Sequence, residues 1–366
     1  MPTIAIDGGI EFFYTDSGAP PGVEDYHTLI MIHGHSFHSG TFQRLLPLAG
    51  ARRMRMICIN RREYPSTTPF SADENRVIKE GNEEERCAFL QEQGVGLAKF
   101  VCAVVDGCGL PLPATSTSRK LRGGVTVGGW SMGNIYMLAL VACVDMLEDG
   151  IKEKVKKYVT GFFMWDPPSQ AIGAPEPPKA YMPLWDLSYP PEDRRPKFAI
   201  WVSSYFKHPP NPTHDPNALL YLQSESDASR KPTIAGLTPE EVASMLEVTA
   251  GDHSETKMLE RDWLGATHRQ MMKAVFSREV RRAWVSTGNG GGDAPVGFYL
   301  LYGDESVWNV VYAAWYIEDT TRKSVGDGSA SEEAWEKLDV KIAVQKGANH
   351  FCIYVAEIEN ANKELT

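Results

Sequence analysis

Short apolar runs and helix-period stretches alternate along the first 165 residues of the chain. Residues 10–14 read as a strand. Thr28-Leu29-Ile30-Met31-Ile32 is a compact apolar run that stops at His33-Gly34, and Met54-Arg55-Met56-Ile57-Cys58-Ile59 is another that stops at Asn60. Over residues 83–105 the apolar positions Cys87, Leu90, Val95, Leu97, Val101 and Val104 recur at helical spacing, and acidic residues occupy the first turn, where the helix dipole favours them. Residues 124–128 predict a buried strand, 134–147 a buried helix and 155–165 a further strand. Apolar strands separated by helices imply a mostly parallel sheet covered on both faces.

The alternation ends at residue 167. Between residues 167 and 216 lie 13 of the 24 prolines, interleaved with aromatics. Proline fixes φ and removes a backbone donor, so this stretch cannot be a regular sheet element. Short helices are expected over 194–206 and over 238–246, the latter opened by Thr238 as cap with Pro239 at the first helical position, and one or two more over 263–284. The glycine run 288–292 reads as a loop. Strand patterns resume at 296–302 and 340–344, a helix is expected to begin near Glu305, and another after residue 351. The pattern therefore predicts a core built from residues 1–166 and 281–366, with 167–280 inserted as a largely helical, Pro-rich cap lying over the sheet.

Composition narrows the function classes. The 366 residues are 43% hydrophobic and 23% charged, with a net charge of −10, which excludes collagen-like, low-complexity and disordered chains. No basic stripe is available for phosphate binding, so nucleic acid is not an expected partner. The longest apolar stretch, 135–147, is interrupted by Asp145 and is too short to cross a bilayer, so no membrane partner is expected either. The six cysteines are scattered without a CxxC pair, and the N-terminus has neither a basic leader nor an apolar signal core. A reduced, cytoplasmic protein is the expectation.

The sharpest local signal is Gly129-Trp130-Ser131-Met132-Gly133, directly after one predicted strand and directly before an apolar helix. A serine held on such a tight turn needs small flanking residues, and the turn aims the next amide, that of Met132, at a reacting carbonyl. His33-Gly34-His35-Ser36-Phe37-His38 follows the earlier strand. Gly34 lets the backbone pass close to the serine turn, and the His35 amide is the candidate second oxyanion donor. The spacing of the three histidines fits none of the common zinc patterns, so no metal is expected. With these two motifs in place, the chain resembles the α/β-hydrolase superfamily along nearly its whole length, apart from the insertion. Asn60-Arg61-Arg62-Glu63-Tyr64-Pro65-Ser66 is similar to that superfamily's loop after the fourth strand, although it lacks the usual Asp and glycines.

The resemblance implies that His350, in Gly347-Ala348-Asn349-His350-Phe351, is the general base. It implies two candidate positions for the acid. The usual one follows the strand 296–302, where the sequence reads Gly303-Asp304-Glu305-Ser306; the aligned residue is Ser306, and Asp304 lies out of phase. The second follows the preceding strand, where Asp166 closes an apolar run ahead of Pro167-Pro168. A carboxylate ending such a run needs a partner, because burying it alone is costly. Asp166 is favoured and Asp304 stays open.

A serine at the turn implies an acyl-enzyme and hence a carbonyl substrate. The expected activity is that of a serine hydrolase acting on a carboxylic ester or lactone of an apolar or aromatic small molecule, with no cofactor. Cleavage of an amide or a C–C bond by the same groups is the alternative, with Glu192, Asp193, Glu225 and Asp227 as possible anchors for an amine. A non-catalytic small-molecule-binding protein of the same fold is a further one. Trp130, Trp165, Trp185, Trp201 and Tyr205 are the candidate substrate-binding aromatics; for each the competing reading is plain core packing.

Overall fold

In the computed structural model, residues 2–113, 122–285, 296–326 and 340–354 are described. Among the described residues there are eight strands: β1 (Thr3–Ile6), β2 (Ile10–Asp16), β3 (His27–Ile32), β4 (Met54–Ile59), β5 (Val125–Trp130), β6 (Val159–Trp165), β7 (Gly297–Gly303) and β8 (Lys341–Gln345). They form one sheet in the order β1-β2-β4-β3-β5-β6-β7-β8. β1 and β2 are antiparallel, as are β2 and β4; every other neighbouring pair is parallel. The predicted mostly parallel sheet is therefore present, with an antiparallel edge.

The first five α-helices are α1 (Leu46–Ala49), α2 (Ala72–Glu80), α3 (Glu83–Cys108), α4 (Gly133–Ala142) and α5 (Asp149–Tyr158). Five more follow: α6 (Pro191–Val202), α7 (Pro239–Ala243), α8 (Leu264–Phe276), α9 (Arg278–Ala283) and α10 (Trp308–Gly326). Local chemistry explains their starts. Ser71 with Glu74, Asn82 with Glu85 and Thr238 with Glu241 form reciprocal capping boxes at α2, α3 and α7. At the other end of α3, Gly109 takes the left-handed conformation (φ +59°) that closes a helix.

Helix α3 is the one described helix long and apolar enough to cross a bilayer, longer than the 135–147 stretch expected to be the longest apolar one. It is a core helix here, with 61% of its apolar window buried, packed on α4, α5, α8 and β1. All ten residues of α4 are buried.

Several boundaries differ from expectation: α4 ends at Ala142 rather than at 147, α6 spans Pro191–Val202 rather than 194–206, and α7 ends at Ala243 rather than at 246. Residues 155–158, read as the start of a strand, are the last turn of α5, and β6 starts only at Val159. The helix expected from Glu305 starts at Trp308. The predicted loop at 288–292 and the helix expected after residue 351 fall mainly outside the described residues; within them, Cys352–Tyr354 is a 3-10 turn.

The segment between β6 and β7 divides in its packing. Helices α8 and α9 follow one another over the core layer, α8 lying against α3 and α4. Residues 245–259 instead reach the loop after β3: His38 N–H donates to Met245 O (2.8 Å), Glu247 N–H to Ser36 O (2.7 Å), and Phe37 bridges Leu246.

Candidate functional site

The site lies at the carboxyl ends of β3, β5, β6 and β7, where an open parallel sheet presents the residues that follow each strand. Its geometry continues the sheet ladder by one residue. Ser131 N–H donates to Trp165 O (2.9 Å), and Asp166 N–H donates to Leu301 O (2.9 Å). Because Trp130 pairs with Trp165 in the β5–β6 register, Ser131 and Asp166 leave adjacent strands side by side.

Both residues take left-handed backbone conformations, φ +55° at Ser131 and +45° at Asp166. Strain of this kind persists only where the surroundings over-determine it. At Ser131 they do. The Asn134 side-chain amide donates to Ser131 O (2.8 Å) and to Trp165 O (3.1 Å). A Cβ on Gly133 would lie 2.2 Å from Ile32 O, and one on Gly34 would lie 2.7 Å from Ser131 Cβ. These two glycines are what lets the loop after β3 press against the serine turn.

His350 is 2% exposed and Asp166 is fully buried. His350 Nδ1 lies 3.1 Å from Asp166 Oδ2. The carboxylate also accepts from Gly303 N–H at Oδ1 (2.9 Å) and from Ser306 Oγ at Oδ2 (3.0 Å). Buried charge of this kind persists when its lone pairs are met by donors, as they are here. Asp304 is turned elsewhere: its Oδ1 accepts from Gly347 N–H (2.7 Å), and its Oδ2 lies 3.2 Å from Lys346 Nζ. Of the two candidate acids, the one in reach of His350 is Asp166.

Neighbouring groups hold the His350 ring. The Trp130 indole stacks on it (centroids 5.0 Å apart, 24° between planes), and Trp130 Nε1–H donates to His350 O (3.2 Å). One residue earlier, Asn349 is tied to the inserted segment through Thr233 Oγ1 (2.8 Å).

Ser131, Met132, His35 and His350 line one narrow cavity of about 20 Å³. Its other walls include Met182, Phe198, Trp201 and Leu259. Of the five aromatics proposed from sequence as substrate contacts, Trp201 is brought to this cavity. Trp130 is in the core against His350, Phe42 and Phe351, and Trp165 packs beside Phe163. Trp185 lines a separate cleft with Glu176 and Arg261, and Tyr205 carries the Arg230 guanidinium over its ring. Glu192, Asp193, Glu225 and Asp227 are not among the lining residues. Asp227 instead pairs with Lys207, and Glu225 accepts the amides of Tyr221 and Leu222.

Each of the three clustered histidines has its own partners. His33 Nε2 accepts from Arg61 N–H (3.0 Å), so Nδ1 carries the proton that goes to Gly34 O (2.9 Å), and the ring is neutral. Burial and the nearby Arg61 charge hold its pKa well below the usual histidine value. Burial, with Arg61 and Arg195, lowers His35 to about 3; its ring is placed between Ser36 Oγ and Thr256 Oγ1. His38 caps the turn Ser39–Phe42.

Sequence reasoning missed the support beneath this loop. Arg61 is buried and forms an ion pair with Glu255, which also accepts from Tyr64 OH. The same guanidinium donates to His33 O (3.0 Å) and Gly34 O (2.8 Å), while Tyr64 OH accepts from Ser36 N–H (2.8 Å). Arg61 and Tyr64 belong to the 60–66 loop, whose departure from the superfamily pattern was visible; Glu255 is 194 residues away and carries no local signal. At Glu63 and Ser66, φ values of +72° and +62° stand where glycine would ordinarily be favoured.

No protein-family model matches the chain, and no curated protein matches it in sequence. Solved structures do. A serine hydrolase from the polyaromatic-hydrocarbon-degrading bacterium Cycloclasticus zankles is 10% identical, with 100% of this chain and 96% of that one covered and a TM-score of 0.53. An esterase from Exiguobacterium antarcticum is also 10% identical, covering 99% and 97%, with a TM-score of 0.50. At such identities the likeness speaks for architecture alone. Together with the strand order and the serine turn after β5, it establishes that this chain has the α/β-hydrolase fold.

Proposed function

We propose that the chain is a serine hydrolase that cleaves a carboxylic ester or lactone of a predominantly apolar small molecule through an acyl-enzyme. The observation that carries this reading is the 3.1 Å contact between His350 Nδ1 and the buried Asp166 carboxylate, with the strained Ser131 turn opening on the same cavity as His350. An imidazole whose Nδ1–H is held by a carboxylate presents Nε2 as the base.

In this mechanism Ser131 Oγ attacks the substrate carbonyl carbon while its proton passes to His350 Nε2. The carbonyl oxygen takes the negative charge and is met by the amides of Met132 and His35. Collapse of the tetrahedral species breaks the bond to the alcohol, which leaves with the proton from His350. Water, deprotonated by the same nitrogen, then attacks the acyl carbon and frees the acid and Ser131. Asp166 keeps the imidazole in the productive tautomer and stabilises its cationic form. A serine at this turn, in place of aspartate, directs the chemistry to acyl transfer rather than to an alkyl-enzyme ester.

The mainly apolar walls support a small-molecule substrate. An acidic anchor for a substrate amine, which the amide alternative calls for, finds no support in the lining. Six unpaired cysteines accord with action in a reducing compartment such as the cytoplasm. The solved structures named above are described as a serine hydrolase and an esterase, the same class of chemistry.

The test is hydrolysis of nitrophenyl esters, together with covalent labelling by a fluorophosphonate probe. Both should be lost in Ser131→Ala. A wild-type protein that binds such esters without turnover or labelling would instead fit a non-catalytic binding role.

A further inference from the structure

The cavity beside Ser131 is not uniformly apolar. Among side chains such as Met182, Trp201, Leu259 and Val310, two carboxamides stand in its wall: Gln170, in the turn after β6, and Asn309, in the first turn of α10. They are 1% and 3% exposed. Asn309 Nδ2–H donates to Gln170 Oε1 (3.0 Å), and Ser169 Oγ–H donates to the same oxygen (3.3 Å). That leaves Gln170 Nε2 and Asn309 Oδ1 buried with no hydrogen-bond partner among the described residues. Turning both amides over exchanges which residue supplies the spare donor and which the spare acceptor, and the tally stays the same.

Two hydrophobic side chains of similar size would fill this wall without such a cost, since a buried polar atom left unpaired is unfavourable. The pair therefore has the form of a site completed by its ligand. We propose that Gln170 and Asn309 form a polar subsite for a neutral substrate group that presents one acceptor and one donor together, a carboxamide being the group that meets both. A carboxylate would bring acceptors alone and oppose Asn309 Oδ1; an ammonium would bring donors alone and oppose Gln170 Nε2. This inference rests on the serine-hydrolase reading and refines it: the substrate is an otherwise apolar ester carrying a carboxamide away from the scissile bond.

The test uses nitrophenyl esters of straight-chain acids of graded length, ending in a carboxamide, an isosteric isopropyl group, a carboxylate or an ammonium group. In the wild-type protein, kcat/KM for the carboxamide ester should exceed that for the isopropyl ester by about tenfold or more at one chain length. A site built around a hydrogen bond discriminates strongly against an analogue that lacks it. In Gln170→Met/Asn309→Leu the same ratio should fall to one or below. The comparison within the wild type needs no variant to fold. Turnover with no carboxamide preference at any length, or a preference for either charged ester, would overturn the subsite and leave the hydrolase reading standing. Absence of all turnover and of fluorophosphonate labelling would overturn both.

Discussion

The hydroxyl of Ser306 donates to Asp166 Oδ2 at 3.0 Å. Ser306 stands after β7 at the place where an α/β-hydrolase acid is usually sought, so this position serves a carboxylate that projects from the neighbouring strand, β6. Asp166→Asn should lower kcat by about 10⁴-fold, the loss that follows when the imidazole is held in the wrong tautomer. Asp304→Asn should change it by only a few-fold, because that carboxylate serves Gly347 and Lys346. Steady-state ester hydrolysis by the two variants decides between them, and equal losses would contradict the assignment.

Ser306→Ala removes one donor from a fully buried carboxylate and leaves the Gly303 amide in place. Hydrogen bonds to charged groups contribute about 1.5–3 kcal/mol. A fall in kcat of about tenfold is expected, intermediate between wild type and Asp166→Asn. An unchanged kcat would show that the hydroxyl is not needed to hold the acid.

Gly34→Ala should remove activity by displacing the nucleophile. The new Cβ would sit 2.7 Å from Ser131 Cβ and 3.2 Å from its Oγ, closer than packed carbons approach. Fluorophosphonate labelling should slow in step with ester turnover while circular dichroism stays native. Labelling at the wild-type rate would count against the close approach.

Arg61 and Glu255 join the 60–66 loop, the loop after β3 and the inserted segment in one buried network. Breaking such a pair from one side leaves an uncompensated buried charge and costs about 3–5 kcal/mol. Glu255→Leu should therefore melt well below wild type, and Arg61→Met/Glu255→Leu should recover a large part of that loss. A double variant no more stable than Glu255→Leu would contradict the pairing.

Buried histidines make stability depend on pH. Burial is the leading cause that lowers the pKa of His27, His33, His35, His38 and His208. Each is neutral in the folded protein at pH values where its unfolded counterpart, with a pKa of about 6.5, takes up a proton. The unfolded state then binds more protons, so stability falls as pH drops below about 6.5. Each such group contributes a slope of up to about 1.4 kcal/mol per pH unit until its folded pKa is reached. The urea midpoint should decline from pH 7 to pH 5, and His27→Gln should flatten the slope by up to one proton. A midpoint that rises toward pH 5 would contradict this.

Legibility followed the range of the interactions. The serine turn, the loop after β3 and His350 were readable because each depends on residues adjacent in the chain, where small flanking residues and strand ends leave a local pattern. The start of β6 is not legible because Val155, the buried position of α5, continues an apolar rhythm into the strand. The aromatics were readable as a class but not by place: Trp201 reaches the cavity, whereas Trp130 stacks on His350.

Taken by itself, the amino-acid order determined the α/β layering, the tight serine turn after β5 and the histidine that follows the last strand, since period-2 and period-3.6 burial and tight-turn sterics act over a few residues. Tertiary structure alone decided which carboxylate meets His350, because the β5–β6–β7 register sets which strand end faces the imidazole. It also decided that Glu255 lies beneath the loop after β3 and that Gln170 meets Asn309. Those pairs are 194 and 139 residues apart. Contacts at such separations form only when strand order and packing bring distant segments together, and they leave no periodic trace in the chain.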